Sequence, residues 1–172
     1  MGAEEILTTK TELEELYQLI GYEFTNPSFL MRAITTKSYA KEEYEQRDQQ
    51  GKQKSPLEHF EVFTILGDAV LSLAIIDILR EIGLDSKGDI SQSKDRLVNQ
   101  DIQSKMWKDF KIDIKNLNVT SGEVRLIQNY ENNELIEGLF EGLIGAIFLD
   151  SDYPTAKDVV WSWYRERLEQ LF

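Results

Sequence analysis

The chain has no cysteine and a single histidine among its 172 residues. Without thiols there is no disulfide framework, no thiolate metal site and no cysteine nucleophile, and an intracellular, cytoplasmic location fits best. The one histidine, His59, reads as a helix-start surface residue rather than a ligand. Basic charge is scarce as well: 19 lysines and arginines face 31 acids, for a net charge of −12 at pH 7. An acidic surface repels nucleic acid, so any RNA must meet basic residues gathered on one face, or carboxylates screened by magnesium. Otherwise the acidity serves only solubility or a salty cytoplasm. The opening MGAEEILTTKTELEEL lacks the basic-then-apolar order of a secretory signal, and Met1-Gly2 starts a myristoylation pattern that Leu7 and Thr8 continue poorly. Without such a signal the sequon Asn118-Val119-Thr120 is a chance match. The one apolar run long enough to suggest a membrane, 62–79, is interrupted by Thr64, Gly67, Asp68, Ser72 and Asp77. It reads as a buried helix, and no membrane partner is expected.

What is present points to one globular, all-α domain over 1–172, with 41% hydrophobic residues spread along it. Thr11-x-x-Glu14 reads as a capping box ahead of a short amphipathic helix that stops at Gly21. Asn26-Pro27 opens a second helix carrying Phe29, Leu30, Ala33 and Ile34. Residues 40–57 are almost without apolar side chains and read as a solvated loop. A central helix is expected from Leu57 to Ile82, closed by Gly83 and enclosed by the others because it is apolar all round. Helices follow near Ile90–Val98 and Ile102–Phe110, then a long polar loop over 111–132 with a short irregular helix near 123–128. A second all-round apolar helix runs from Asn133 to Asp150. Its interior glycines, Gly138, Gly142 and Gly145, suggest close approach of the central helix. A final helix spans Pro154 to Phe172.

Both apolar helices carry acids. In Phe60-Glu61-Val62-Phe63-Thr64-Ile65-Leu66-Gly67-Asp68-Ala69-Val70-Leu71, positions 61, 64 and 68 share one helical face, and Glu134, Glu137 and Glu141 have the same spacing. A carboxylate in an apolar setting requires a cation, hydrogen bonds or water. If the two faces meet across a cleft, a hard cation between them relieves the repulsion, and magnesium with oxygen ligands suits phosphoryl transfer. The plainer alternative is two solvated charged faces.

FEVFTILGDAVL resembles the ribonuclease III signature, close to xERLEFLGDAVL. IGYEFTNPSFLMRAITTKSYA is similar to that family's opening helix pair, KGDISQSKDRLVNQ to its middle segment, and LFEGLIGAIFLDSDY to its second acidic motif. The resemblance covers most of 12–172. It implies the all-helical ribonuclease III endonuclease fold, a two-fold dimer with double-stranded RNA in the valley between subunits, and cleavage dependent on magnesium or manganese. The family builds its metal site from four acids, two per motif. Asp68 and Glu141 match two of them and Glu61 the leading glutamate, which makes these three the catalytic candidates, with Asp68 and Glu141 as metal ligands. Thr64 and Gly138 stand where the other two acids belong, so the metal is expected to be weakly held or absent. Glu137 is an offset candidate, rotated about 100° from the vacant position. Restoring Thr64→Glu and Gly138→Asp is expected to return activity if the scaffold is intact.

Ile65 replaces the family's aromatic at the dimer contact, with Phe63 as a compensating neighbour. Lys37, Lys87, Lys94 and Arg96 are the basic residues of the matched segments and the RNA-binding candidates, against the alternative of ordinary surface charge. No double-stranded-RNA-binding domain is expected within the chain. Three readings follow. The first is a degenerate dimer that binds or scaffolds structured RNA, or pairs with an active ribonuclease or other partner. The second is a divergent endoribonuclease using Asp68 and Glu141, helped by Glu61 and Glu137. The third is an acidic protein-interaction domain with no RNA role.

Overall fold

Two helices that are apolar nearly all round cannot both face water, and in this chain they pack against each other at the centre of a helical bundle. The computed structural model describes residues 10–49, 51, 57–113, 116–129 and 131–171. Among them it forms α1 (Lys10–Ile20), α2 (Pro27–Ala33), α3 (Lys37–Asp48), α4 (Glu61–Glu81), α5 (Lys87–Leu97), α6 (Gln100–Phe110), α7 (Ser121–Gln128), α8 (Asn133–Asp150) and α9 (Tyr153–Glu169). Apart from a single bridge between Thr35 and Asn118, no β pairing occurs among the described residues. Most helix starts are written locally. The side chains of Asn26, Thr36, Ser86, Asn99, Asn132 and Asp152 each accept a hydrogen bond from an otherwise unpaired first-turn amide. Thr120 and Glu123 complete a capping box.

The pairing of α4 and α8 depends on glycine. A Cβ on Gly67 would overlap the Glu141 carbonyl, and one on Gly145 would overlap the Phe63 carbonyl, so the two backbones touch at these points. Of the three α8 glycines, only Gly145 faces α4 directly; Gly138 faces the Phe60 ring, and Gly142 faces Ala33 of α2 and the Phe60 Cβ. At its far end α4 is tied to α9 by Lys157, whose ammonium reaches Asp77 at 2.8 Å and Glu81 at 2.6 Å, while the Tyr153 hydroxyl donates to Asp77 at 3.2 Å. These partners hold the Asp77 carboxyl below its usual range, mainly through the Lys157 hydrogen bond.

Several elements differ from the sequence reading. The expected loop over 40–57 contains most of α3, which has no wide apolar stripe to announce it. It is stabilised by the Thr36 cap, by a Glu43–Arg47 pair at 3.0 Å and by burial of Ala40. Helix α7 occupies Ser121–Gln128 within the expected polar stretch. The central helix begins at Glu61 rather than Leu57, and it is not enclosed: Val62, Ile65 and Leu73 are 53%, 73% and 52% exposed. By length and composition α4 could cross a bilayer, yet Phe63, Val70, Leu71, Ile75 and Leu79 on it are buried in the bundle. Helix α1 already begins at Lys10, and the Thr11 side chain expected to cap it lies outside the described residues, as does Phe172. Asn118 of the chance sequon is buried, donating to Thr35 Oγ1 at 2.8 Å.

Candidate active site

The start of α4 and the first half of α8 line an open cleft of about 410 Å³, together with the α2–α3 junction. Glu61, Thr64, Glu134, Glu137, Gly138 and Glu141 all border it, so the two spaced acidic faces do meet. Lys37 enters from the first turn of α3 and pairs with Glu61 at 3.1 Å. Asp68 lies one turn beyond the lining, on an exposed position of α4, close enough for its charge to act on Glu141.

Thr64, Glu137 and Glu141 each have a protein partner. The Thr64 hydroxyl donates to the Glu61 carbonyl of its own helix at 2.8 Å. Gln100 Nε2 donates to Glu137 at 2.8 Å and Gln103 Nε2 to Glu141 at 3.3 Å, from two positions on one face of α6. Gln103 is only 1% exposed. Burial pushes the Glu141 carboxyl up to about 7; the charges of Glu137 and Asp68 add to this and the Gln103 bond opposes it. Near neutral pH this side chain therefore spends much of its time protonated.

Gly138 adds a steric fact. A Cβ there would lie 2.5 Å from Cε2 of Phe60, so an aromatic ring fills the space beside the missing acid. These residues do not fit a magnesium ion. One family position offers a neutral hydroxyl and another offers no side chain, whereas magnesium demands near-octahedral oxygen donors and charge to hold it. Among the described residues no group of three or more acids or histidines is arranged to hold a metal.

The remaining sequence candidates are scattered. Lys94 pairs with its neighbour Asp95 at 3.1 Å, and neither it nor Arg96, which is exposed on α5, borders the cleft. Lys87 is exposed at the first position of the same helix. Phe63 does not reach the surface. It is 2% exposed, packed against Phe29 and covered by the Arg32 guanidinium 4.5 Å from its ring centre, which removes it as a compensating interface residue. Ile65 does face outward, and with Val62, Ala69 and Leu73 it forms an exposed apolar stripe along α4. His59 is half-buried beside Glu61, at 4.0 Å. Sequence reasoning missed Phe60, Gln100 and Gln103. The signal for Phe60 was its place immediately before the leading glutamate; a glutamine pair at helical spacing gives no sign of what it faces until α6 and α8 are packed.

A family model described as Ribonuclease-III-like matches residues 26–168. Among curated proteins, Ribonuclease 3 of Francisella philomiragia and Ribonuclease 3 of Francisella tularensis are each 30% identical over 161 residues. The match takes in 93% of this chain but 61% of theirs, so the chain spans about three-fifths of the length of these relatives. Two solved structures of the nuclease domain of ribonuclease III from Campylobacter jejuni superpose with TM-scores of 0.70 and 0.68, at 26% and 25% identity. Both cover 90% of this chain, and 96% and 94% of their own. The first is described as showing structural flexibility in the region involved in dimer formation.

Proposed function

This chain belongs to the ribonuclease-III-like family, and from that premise we propose that it is a dimeric, RNA-binding ribonuclease III domain whose own cleavage activity is impaired or lost. One observation carries the reading: at the two family positions that lack an acid there are a hydroxyl bonded to its own helix and a glycine covered by Phe60. A divalent ion in this family supplies the charge that activates water and stabilises the leaving oxygen. Here Glu137, Glu141 and Glu61 are instead bonded to Gln100, Gln103 and Lys37, and Asp68 stands on an exposed position of α4. The exposed stripe around Ile65 supports association with a second copy or with another chain of the same fold, since an apolar face of this length is unfavourable in water. Lys37 supports contact with the phosphate backbone at the cleft, where it also neutralises Glu61.

Incubation with end-labelled double-stranded RNA at low salt, in magnesium and then in manganese, tests this directly. A retarded, uncut duplex is the expected result. Metal-dependent products that disappear in Asp68→Asn would instead establish a divergent nuclease, and absence of any retardation would leave an acidic interaction domain.

A further inference from the structure

Phe60 immediately precedes α4, and its backbone is held on both sides. Its N–H donates to the Thr35 carbonyl at 3.0 Å, and its carbonyl accepts from the Phe63 and Thr64 amides at 2.7 and 3.0 Å. From that fixed start the side chain runs along α8. A Cβ on Gly142 would lie 3.3 Å from the Cβ of Phe60, and one on Gly138, a turn earlier in α8, would lie 2.5 Å from Cε2 and 3.3 Å from Cζ. The Phe60 side chain thus runs one helical turn along α8, with its Cβ beside Gly142, which the Ala33 carbonyl also approaches, and its ring beside Gly138. Gly138 is in the middle of a helix, and positive φ among the described glycines occurs only at Gly21, Gly51 and Gly83. No backbone requirement therefore explains it; the ring does. Glycine in a helix interior is unfavourable relative to alanine, so a packing reason of this kind is needed.

We infer that Phe60 completes the dismantled site: its ring takes the space of the side chain missing at Gly138 and, with the amides of Gln100 and Gln103 on Glu137 and Glu141, fills the cleft without a cation. The inference rests on the reading above that the site does not hold a metal, and it sharpens that reading. Returning acids at 64 and 138 is then insufficient to rebuild the centre, because a carboxylate at 138 meets the ring before it meets a metal. A side chain at 138 requires the Phe60 ring to shift or be shortened, so the two positions behave as one unit.

A stability cycle on the whole chain tests this. Gly138→Ala in the otherwise unchanged protein should lower Tm by roughly 2–10 °C, as expected when a methyl is forced into occupied space. In a Phe60→Leu background, whose shorter side chain clears the far edge of the ring, the same change should have little effect or raise Tm. In parallel, manganese binding is followed by electron paramagnetic resonance. Thr64→Glu/Gly138→Asp should bind at least about tenfold more weakly than the same pair with Phe60→Leu, a difference of about 1.4 kcal/mol. Equal Tm penalties in the two backgrounds, or equal manganese affinity with and without the ring, would overturn the role given to Phe60. Cleavage of duplex RNA by the unaltered chain is a separate outcome that overturns the proposed function and leaves the stability cycle to decide on Phe60.

Discussion

Glu141→Gln removes a charge that the fold accommodates poorly, and its effect depends on pH in a way that can be worked out. The carboxyl has an ordinary value of 4.5 and is pushed up to about 7, chiefly by burial, so the folded chain holds a proton between these limits that the unfolded chain does not. Folding takes up that proton, and stability falls as pH rises from about 4.5 through about 7, then levels off. A sealed site would give about 3 kcal/mol. The cleft is open to water, and screening reduces this to about 1–2 kcal/mol. For a domain of this size that corresponds to a Tm gain of roughly 2–8 °C for Glu141→Gln at pH 8. At pH 5 the native carboxyl is already neutral, and the offset should shrink to roughly a quarter of its pH 8 value. Thermal unfolding of both, followed by circular dichroism at the two pH values, is the assay. An equal Tm at pH 8, or the same offset at both pH values, would refute the argument, the first by denying the buried charge and the second by assigning the effect to packing.

Other outcomes follow from the same packing. Gly67→Ala should cost about 3 kcal/mol or more, because its methyl would overlap the Glu141 carbonyl and push α4 from α8; a Tm fall of only a degree or two in thermal unfolding would show the contact to be looser. Ile65→Asp should convert the protein to a monomer in sedimentation equilibrium with Tm little changed, since the side chain is 73% exposed within one protomer, and a persisting dimer would place the interface elsewhere. Gln103→Leu removes the one hydrogen bond that favours ionised Glu141, so titration by side-chain carbon NMR should move this carboxyl further above its ordinary value, and a downward move would mean the amide is not its partner.

The architecture was largely legible because the signals were local. The cap at Asn26 with Pro27, the stop at Gly83 and the apolar span of α8 each depend on a few neighbouring residues, and each appears in the structure. Helix α3 was missed because its stability comes from a cap and from charge pairs rather than from an apolar stripe, and a polar run is ambiguous without its context. The exposed face of α4 was misread for a related reason: all-round apolarity looks the same whether a helix is covered by its own chain or by another. Within the site, the spacing of Glu61, Thr64 and Asp68 against Glu134, Glu137 and Glu141 anticipated a shared cleft, and the family resemblance marked Thr64 and Gly138 as departures. What fills their place was not visible. Phe60 reaches Gly138 across 78 residues of sequence, and Gln103 reaches Glu141 across 38, contacts that only the packing of α4, α6 and α8 creates.

Manganese binding to the unaltered protein measures the central claim most directly, because it asks whether the cleft holds a divalent ion without requiring RNA or turnover. Titration followed by electron paramagnetic resonance should show only weak, non-saturating association with the acidic surface, unchanged in Asp68→Asn. One saturable manganese per chain, lost together in Asp68→Asn and Glu141→Gln, would show that these carboxylates still build a metal centre beside the ring of Phe60, and would contradict the account.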